Sequence, residues 1–420
     1  MSDRAKRILL AIILVFVVIG LGFAIYAVFL RPSVPTPPTT GGTGVTPTST
    51  LPTTGQGTGL PISGLPGTLP PGAVVTPPTI PQPPAGTATT VSPVANGGVT
   101  GIKRLTDTPG YGITLDSDGN GLIFYDRASG KFYRINPDGS SSPISDEKFT
   151  EASNAVWAPN RQKAVIEFPD GANIVYDFAA QKKVTLPKHW ADFDFAPNSD
   201  QLVFKSLTED PENRWLAVSK ADGSQATKIE HLGDKDATVF PDWSPNNQMV
   251  ASFIKPVNSG QQELYFIGLN DENFKSTIVE GRGFVGKWTP QGNRLLYSVY
   301  KPSNEYRPEL WIVDAQGQNI GNNRRALNIE TWADKCEFAN TTTLYCAVPR
   351  TLRAGAGLFR NDLDAEPTDI YKIDLNTGFK SLVAIPAEDH NIQQIQISAD
   401  QQYLYFTSRN DGRVYQIRLQ

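Results

Sequence analysis

Three histidines, His189, His231 and His390, and two cysteines, Cys336 and Cys346, are all the imidazole and thiol that this 420-residue chain holds. No His-x-His or His-x3-His spacing occurs, so a histidine metal site has nothing to build on. The run Asp116-Ser117-Asp118-Gly119-Asn120-Gly121 opens like a calcium loop. Such a loop would close on a bidentate glutamate at a position that is Arg127 here, so the run reads as a hairpin turn. Asp362, Asp364, Glu366 and Asp369 read as a solvated acidic loop, with a cation site as the lesser alternative. Carboxylates are numerous enough for a glycosidase pair, but no spacing singles out two of them. Neither a cofactor, a bound metal nor a catalytic residue is expected. Cys336 and Cys346 lie on successive strands either side of a turn near Thr341, which sets them opposite each other. Outside the cytoplasm that geometry allows a disulfide, two buried thiols being the alternative.

The elements that carry these residues repeat. A short apolar strand ending in aromatic-small-Pro-Asn/Gln recurs as Val156-Trp157-Ala158-Pro159-Asn160, Phe193-Asp194-Phe195-Ala196-Pro197-Asn198, Asp242-Trp243-Ser244-Pro245-Asn246 and Lys287-Trp288-Thr289-Pro290-Gln291-Gly292. Looser copies begin at Ile113, Cys336 and Ile395. A polar turn and a second strand follow each, as in Leu202-Val203-Phe204 and Leu295-Leu296-Tyr297-Ser298. Third strands such as Leu310-Trp311-Ile312-Val313-Asp314 come next. Spacing between anchors runs from 38 residues (Trp157 to Phe195) to 59 (Phe338 to Ile397), in the range of four-stranded propeller blades. The pattern predicts an all-β fold, a seven-bladed β-propeller over residues 101–420. Blade seven supplies only three strands before Gln420, so Gly101-Ile102-Lys103-Arg104-Leu105-Thr106 is expected to close the ring against Val414-Tyr415-Gln416-Ile417. Trp157, Trp243 and Trp288 are expected in blade cores, and the three histidines in exposed inter-blade connections.

The W-[SAT]-P-[NDQ] turns followed by an apolar strand resemble the WD40-like repeats of the TolB propeller and of prolyl-oligopeptidase-type peptidases. The resemblance covers residues 101–420 and implies a fold, not an activity, because these turns build blades. The α/β domain that precedes the TolB propeller is not found here, nor is a G-x-S-x-G elbow in an α/β-hydrolase context.

In a propeller the loops between second and third strands share one rim with the inter-blade connections. In blades three to six these loops lengthen: Leu207 to Arg214, Lys255 to Gln262, Tyr300 to Pro308 and Pro349 to Asp369. They carry Tyr306, Arg307, Arg350, Arg353, Phe359 and Arg360, of residue types enriched in interface hot spots. This arc is the expected docking surface for a protein or glycan partner.

Residues 8–30 contain no charge and are long enough as a helix, about 34 Å, to cross a membrane. A cleaved signal peptide is the alternative, but the apolar run is long and no small-x-small site ends it. Arg4, Lys6 and Arg7 precede the run, so residues 1–7 are expected in the cytoplasm and the rest outside it, in the periplasm or at the cell surface. Residues 31–100, rich in Pro, Thr and Gly, are expected to form a disordered tether. A net charge of −4 argues against a nucleic-acid partner. These features suggest a membrane-anchored, non-enzymatic binding or scaffolding module in the cell envelope. A hydrolase or lyase working in the propeller's funnel is the alternative.

Overall fold

A computed structural model describes residues 91–420. The expected membrane helix, and the tether as far as residue 90, lie outside the described residues. Among the described residues no helix is long and apolar enough to cross a membrane.

Seven antiparallel sheets follow one another along the chain, each with its first strand innermost. Blade one comprises Gly110–Leu115, Leu122–Asp126, Lys131–Ile135 and Ser141–Pro143. Blade two comprises Asn154–Trp157, Lys163–Glu167, Asn173–Asp177 and Lys182–Leu186; blade three Trp190–Phe195, Gln201–Ser206, Trp215–Lys220 and Thr227–His231. Blade four comprises Val239–Pro241, Ala251–Asn258, Gln261–Ile267 and Thr277–Val279; blade five Arg282–Trp288, Arg294–Tyr300, Glu309–Asp314 and Arg325–Ala326. Blade six comprises Cys336–Phe338, Thr343–Pro349, Thr368–Asp374 and Lys380–Pro386, and blade seven Ile392–Ile397, Tyr403–Ser408 and Val414–Arg418.

Each second strand is sandwiched between neighbouring blades, so its apolar residues run on instead of alternating. Leu202, Val203 and Phe204 are all fully buried. Consecutive blades share a core at every junction. Trp157 packs with Phe132 of blade one, Trp243 with Leu216 of blade three, and Trp288 with Phe266 of blade four. The last junction joins Tyr405 and Val414 of blade seven to Ile113 and Phe124 of blade one. The three anchor tryptophans are thus core residues.

Ring closure follows the expected register. Ile102–Arg104 is the outer strand of blade seven, with Ile102 opposite Ile417, Lys103 opposite Gln416 and Arg104 opposite Tyr415. The segment before it corrects the tether boundary. Val99–Thr100 adds a fifth, parallel strand to blade six, opposite Ile385 and Pro386. Ala95 and Gly97 donate their N–H groups to the carbonyls of Arg418 and Val383. The Pro/Gly/Thr composition conceals this because the contact is made by backbone groups on a free sheet edge. Residues 91–100 therefore straddle blades six and seven instead of belonging to a disordered tether.

Cys336 stands opposite Cys346 in the ladder of blade six, with Cα atoms 4.0 Å apart and the two sulfurs bonded. Both cysteines are fully buried in the core shared with blade five.

Candidate functional site

Two regions gather chemistry: the rim of blades five and six, and the central channel. On the rim, the connection from Pro349 to Thr368 is an ordered plate containing one helical turn, Arg360–Leu363. Beneath it the Lys335 ammonium lies 2.7 Å from Asp364 Oδ1, with both side chains buried. Burial pulls the pKa of Lys335 down, and the Asp364 charge opposes that. Asn391 bridges the same carboxylate, and Arg409 donates to the carbonyls of Asp364 and Asn361. The acidic loop is therefore not simply solvated: Asp364 is its buried staple, and Asp369 accepts from Arg350. The plate also meets the blade-five loop directly. Gly355 and Gly357 donate N–H to the carbonyls of Glu305 and Tyr306 at 2.7 and 2.8 Å. A Cβ on Gly357 would stand 2.6 Å from Tyr300, so only glycine permits this approach.

The six rim residues separate into two groups. Arg307 pairs with Glu305, Arg350 forks between Asp369 and Asp389, and Arg360 pairs with Asp334 while lying over the Trp332 ring. These three guanidiniums hold the loops together. Tyr306 and Phe359 are left 39% and 60% exposed beside Leu358 at 46%, with the Arg353 side chain also in solvent. The other two extensions differ. In blade four the expected insertion is a lengthened hairpin, Ala251–Asn258 with Gln261–Ile267. In blade three a short turn over Pro211–Asn213 is capped by Asp210.

The central channel is a cavity of about 780 Å³. The residue just before each anchor sits on the innermost strand, as Thr114, Val156, Asp194, Lys287, Glu337 and Gln396 do, or directly after it, as Asp242 does. Motif reading passes over these positions; aligning the seven anchors and stepping back one residue finds them. Lys287 Nζ is 2.7 Å from Glu337 Oε2 and 2.7 Å from the Cys336 carbonyl. Burial pushes the Asp194 carboxyl up to about 6, although it accepts the Trp243 N–H at 2.6 Å. Asp242 is raised well above its ordinary value by burial and then by the Asp194 charge, with Lys287 pulling the other way. These two carboxyls belong to adjacent blades, with the Asp194 charge acting on Asp242, but neither lines the cavity. The wall includes Tyr111, Arg127, Trp157, Arg161, Lys287, Glu337 and Gln394.

Of the histidines, His390 corrects the surface expectation. It is buried, 2.9 Å from Ser408 Oγ through Nδ1, and packs against Phe406 and Tyr415, because its connection is covered by the blade-six plate. His189 is exposed as expected, and His231, also exposed, ends the outer strand of blade three instead of lying in a connection, its ring tilted against Trp215. In the Asp116–Gly121 turn, Asp116 accepts the Gly121 N–H and pairs with Arg134 at 2.7 Å. No group of three or more potential metal ligands occurs among the described residues.

No family model matches the chain, and no curated protein matches it. Solved structures do. An oligogalacturonate lyase in complex with manganese superposes with a TM-score of 0.53 at 12% identity, over 76% of this chain and 93% of that one. The Cps50 (Swd1) β-propeller domain of Myceliophteria thermophila gives 0.51 at 11% identity, over 76% and 100%. A prolyl endopeptidase gives 0.50 at 12% identity, over 75% and 49%. At such identities the likeness is one of fold alone. The chain has a seven-bladed β-propeller fold.

Proposed function

We propose that this chain is a membrane-anchored binding propeller, held outside the cytoplasm by residues 8–30 and a tether ending near residue 90. Its working surface is the rim of blades five and six, where it docks a protein partner of the cell envelope. The observation that carries this reading is the blade-six plate: a long connection fixed from below by Lys335–Asp364 that nonetheless leaves Leu358 and Phe359 in solvent. A surface ordered before binding loses little conformational freedom on docking, and an aromatic beside an arginine is the usual hot-spot chemistry. The test is capture from envelope extracts by the full-length chain, with Phe359→Asp/Leu358→Ser as the comparison. Loss of a crosslinked protein in the variant supports the reading. Undiminished capture, or capture of glycan alone, removes it.

The Asp194–Asp242 pair favours a second reading, a hydrolase or lyase acting through paired carboxyls. It ranks second because the pair does not line the cavity. Turnover of a polysaccharide panel that disappears in Asp242→Asn would establish it; no turnover would end it.

A further inference from the structure

The turn that ends the innermost strand has the same backbone in six blades. Its last residue donates N–H to the residue three before it and takes a left-handed conformation: Gly119 (φ 76°), Arg161 (59°), Ser199 (65°), Asn247 (61°), Gly292 (66°) and Gln401 (56°). Glycine and asparagine suit this position, whereas a long charged residue is held there at a cost. Of the six, only Arg161 sends its side chain into the central channel.

Arg161 is poorly satisfied there. Among the described residues its guanidinium makes one hydrogen bond, a long one, 3.4 Å to the Ala158 carbonyl. Burial pulls its pKa down, and the one charge opposing this is Glu337, already held by Lys287 at 2.7 Å. A half-buried guanidinium without a bound counter-charge is free to pair with an anion. The same turn holds a second idle donor. Trp157 Nε1 is buried without an acceptor, whereas Trp243 Nε1 donates to Asn247 at 2.8 Å and Trp288 Nε1 to the Asp242 carbonyl at 3.2 Å. Arg127, in the loop at the opposite end of the channel, lies over the Tyr111 ring and forms no ion pair among the described residues. The wall therefore offers two guanidiniums, Arg161 and Arg127, that have no ion-pair partner among the described residues.

We propose that the central channel is a receptor for a small oxyanion-bearing ligand, a carboxylate or a phosphate, with Arg161 as the group that binds the anion. Arg127 draws the ligand in from the far mouth, and the amides lining the wall serve any hydroxyls it carries. The site is separate from the rim and stands or falls independently of partner docking there.

The test is calorimetric titration of the full-length chain with glucuronate, inorganic phosphate and glucose, in the wild type, Arg161→Gln and Arg161→Gly. Millimolar or tighter binding of glucuronate, phosphate or both is expected, with glucose silent. Glucuronate alone identifies a carboxylate ligand, and phosphate alone a phosphoryl ligand. Both variants should weaken the anion at least about tenfold. Arg161→Gly should also raise Tm, because it removes both the left-handed strain and the half-buried charge. The inference is overturned if neither anion binds at millimolar concentration, if glucose binds equally well, or if the variants bind as the wild type does. It is also overturned if Arg161→Gly lowers Tm, since the guanidinium would then be a structural tie.

Discussion

The Lys335 ammonium and the Asp364 carboxylate meet at 2.7 Å with side chains 0% and 4% exposed, and they join the floor of blade six to the loop that covers it. Removing one member strands the other charge in the interior. Asp364→Ala should cost about 3–5 kcal/mol in urea unfolding and open the 349–369 loop to protease. Replacing both, as Lys335→Met with Asp364→Leu, should recover most of that loss. If the double variant is as unstable as the single one, the pair is not what secures the loop.

The disulfide makes a second prediction. Unfolded without reductant, the chain should show no thiol that reacts with an alkylating reagent, and mass spectrometry should find Cys336 and Cys346 in one linked peptide. The bridge closes a short loop, with its ends 10 residues apart in sequence. Cys336→Ala/Cys346→Ala should therefore lose about 2–3 kcal/mol. Two alkylated cysteines would refute the bond.

Ring closure is tested by deleting Ile102–Arg104 from the full-length chain. This strips the Val414–Arg418 strand of its outer neighbour and exposes a sheet edge. The expected outcome is a lower Tm and concentration-dependent association, read by calorimetry and light scattering. A monomer of unchanged Tm would show that the seam does not depend on this strand.

The Asp194–Asp242 pair gives stability a definite slope with pH. Both carboxyls are raised above their ordinary value of 3.8, Asp194 to about 6. The folded protein thus keeps protons that the unfolded chain releases. The Asp194 contribution is complete below pH about 4 and is lost as pH rises through about 6. Asp194→Asn should therefore raise Tm at pH about 8 and change it little at pH about 4. An equal shift at both pH values would mean the pair does not titrate as described.

Much of this fold is written in the Trp157, Trp243 and Trp288 turns, because a blade must repeat its hairpin geometry to stack on its neighbours. The partnership of Ile102 with Ile417 is legible for the same reason, since blade seven lacks a strand and the segment before blade one has nowhere else to go. Asp364 is not legible: four acidic residues in a loop look alike in sequence, and only the loop's path shows that one of them reaches Lys335. Val99–Thr100 is hidden because a parallel edge strand is held by backbone groups and leaves no side-chain pattern. Arg161 lies between these cases. Its turn is evident, but its direction into the channel depends on the left-handed conformation and on the curvature of the ring.

The closing strand also fixes the order in which the propeller can be completed. Ile102 and Ile417 are paired partners that sit 315 positions apart (417 − 102). A strand from the start of the domain thus waits for the last strand to leave the ribosome, and bringing the two together carries one of the largest loop-closure entropies in the domain. Six blades can stack as they are made, but the seventh is one strand short until the amino-terminal segment folds back on it. A chain that stops before Val414 offers that segment no strand to pair with, so only a fully synthesised domain can seal its own seam.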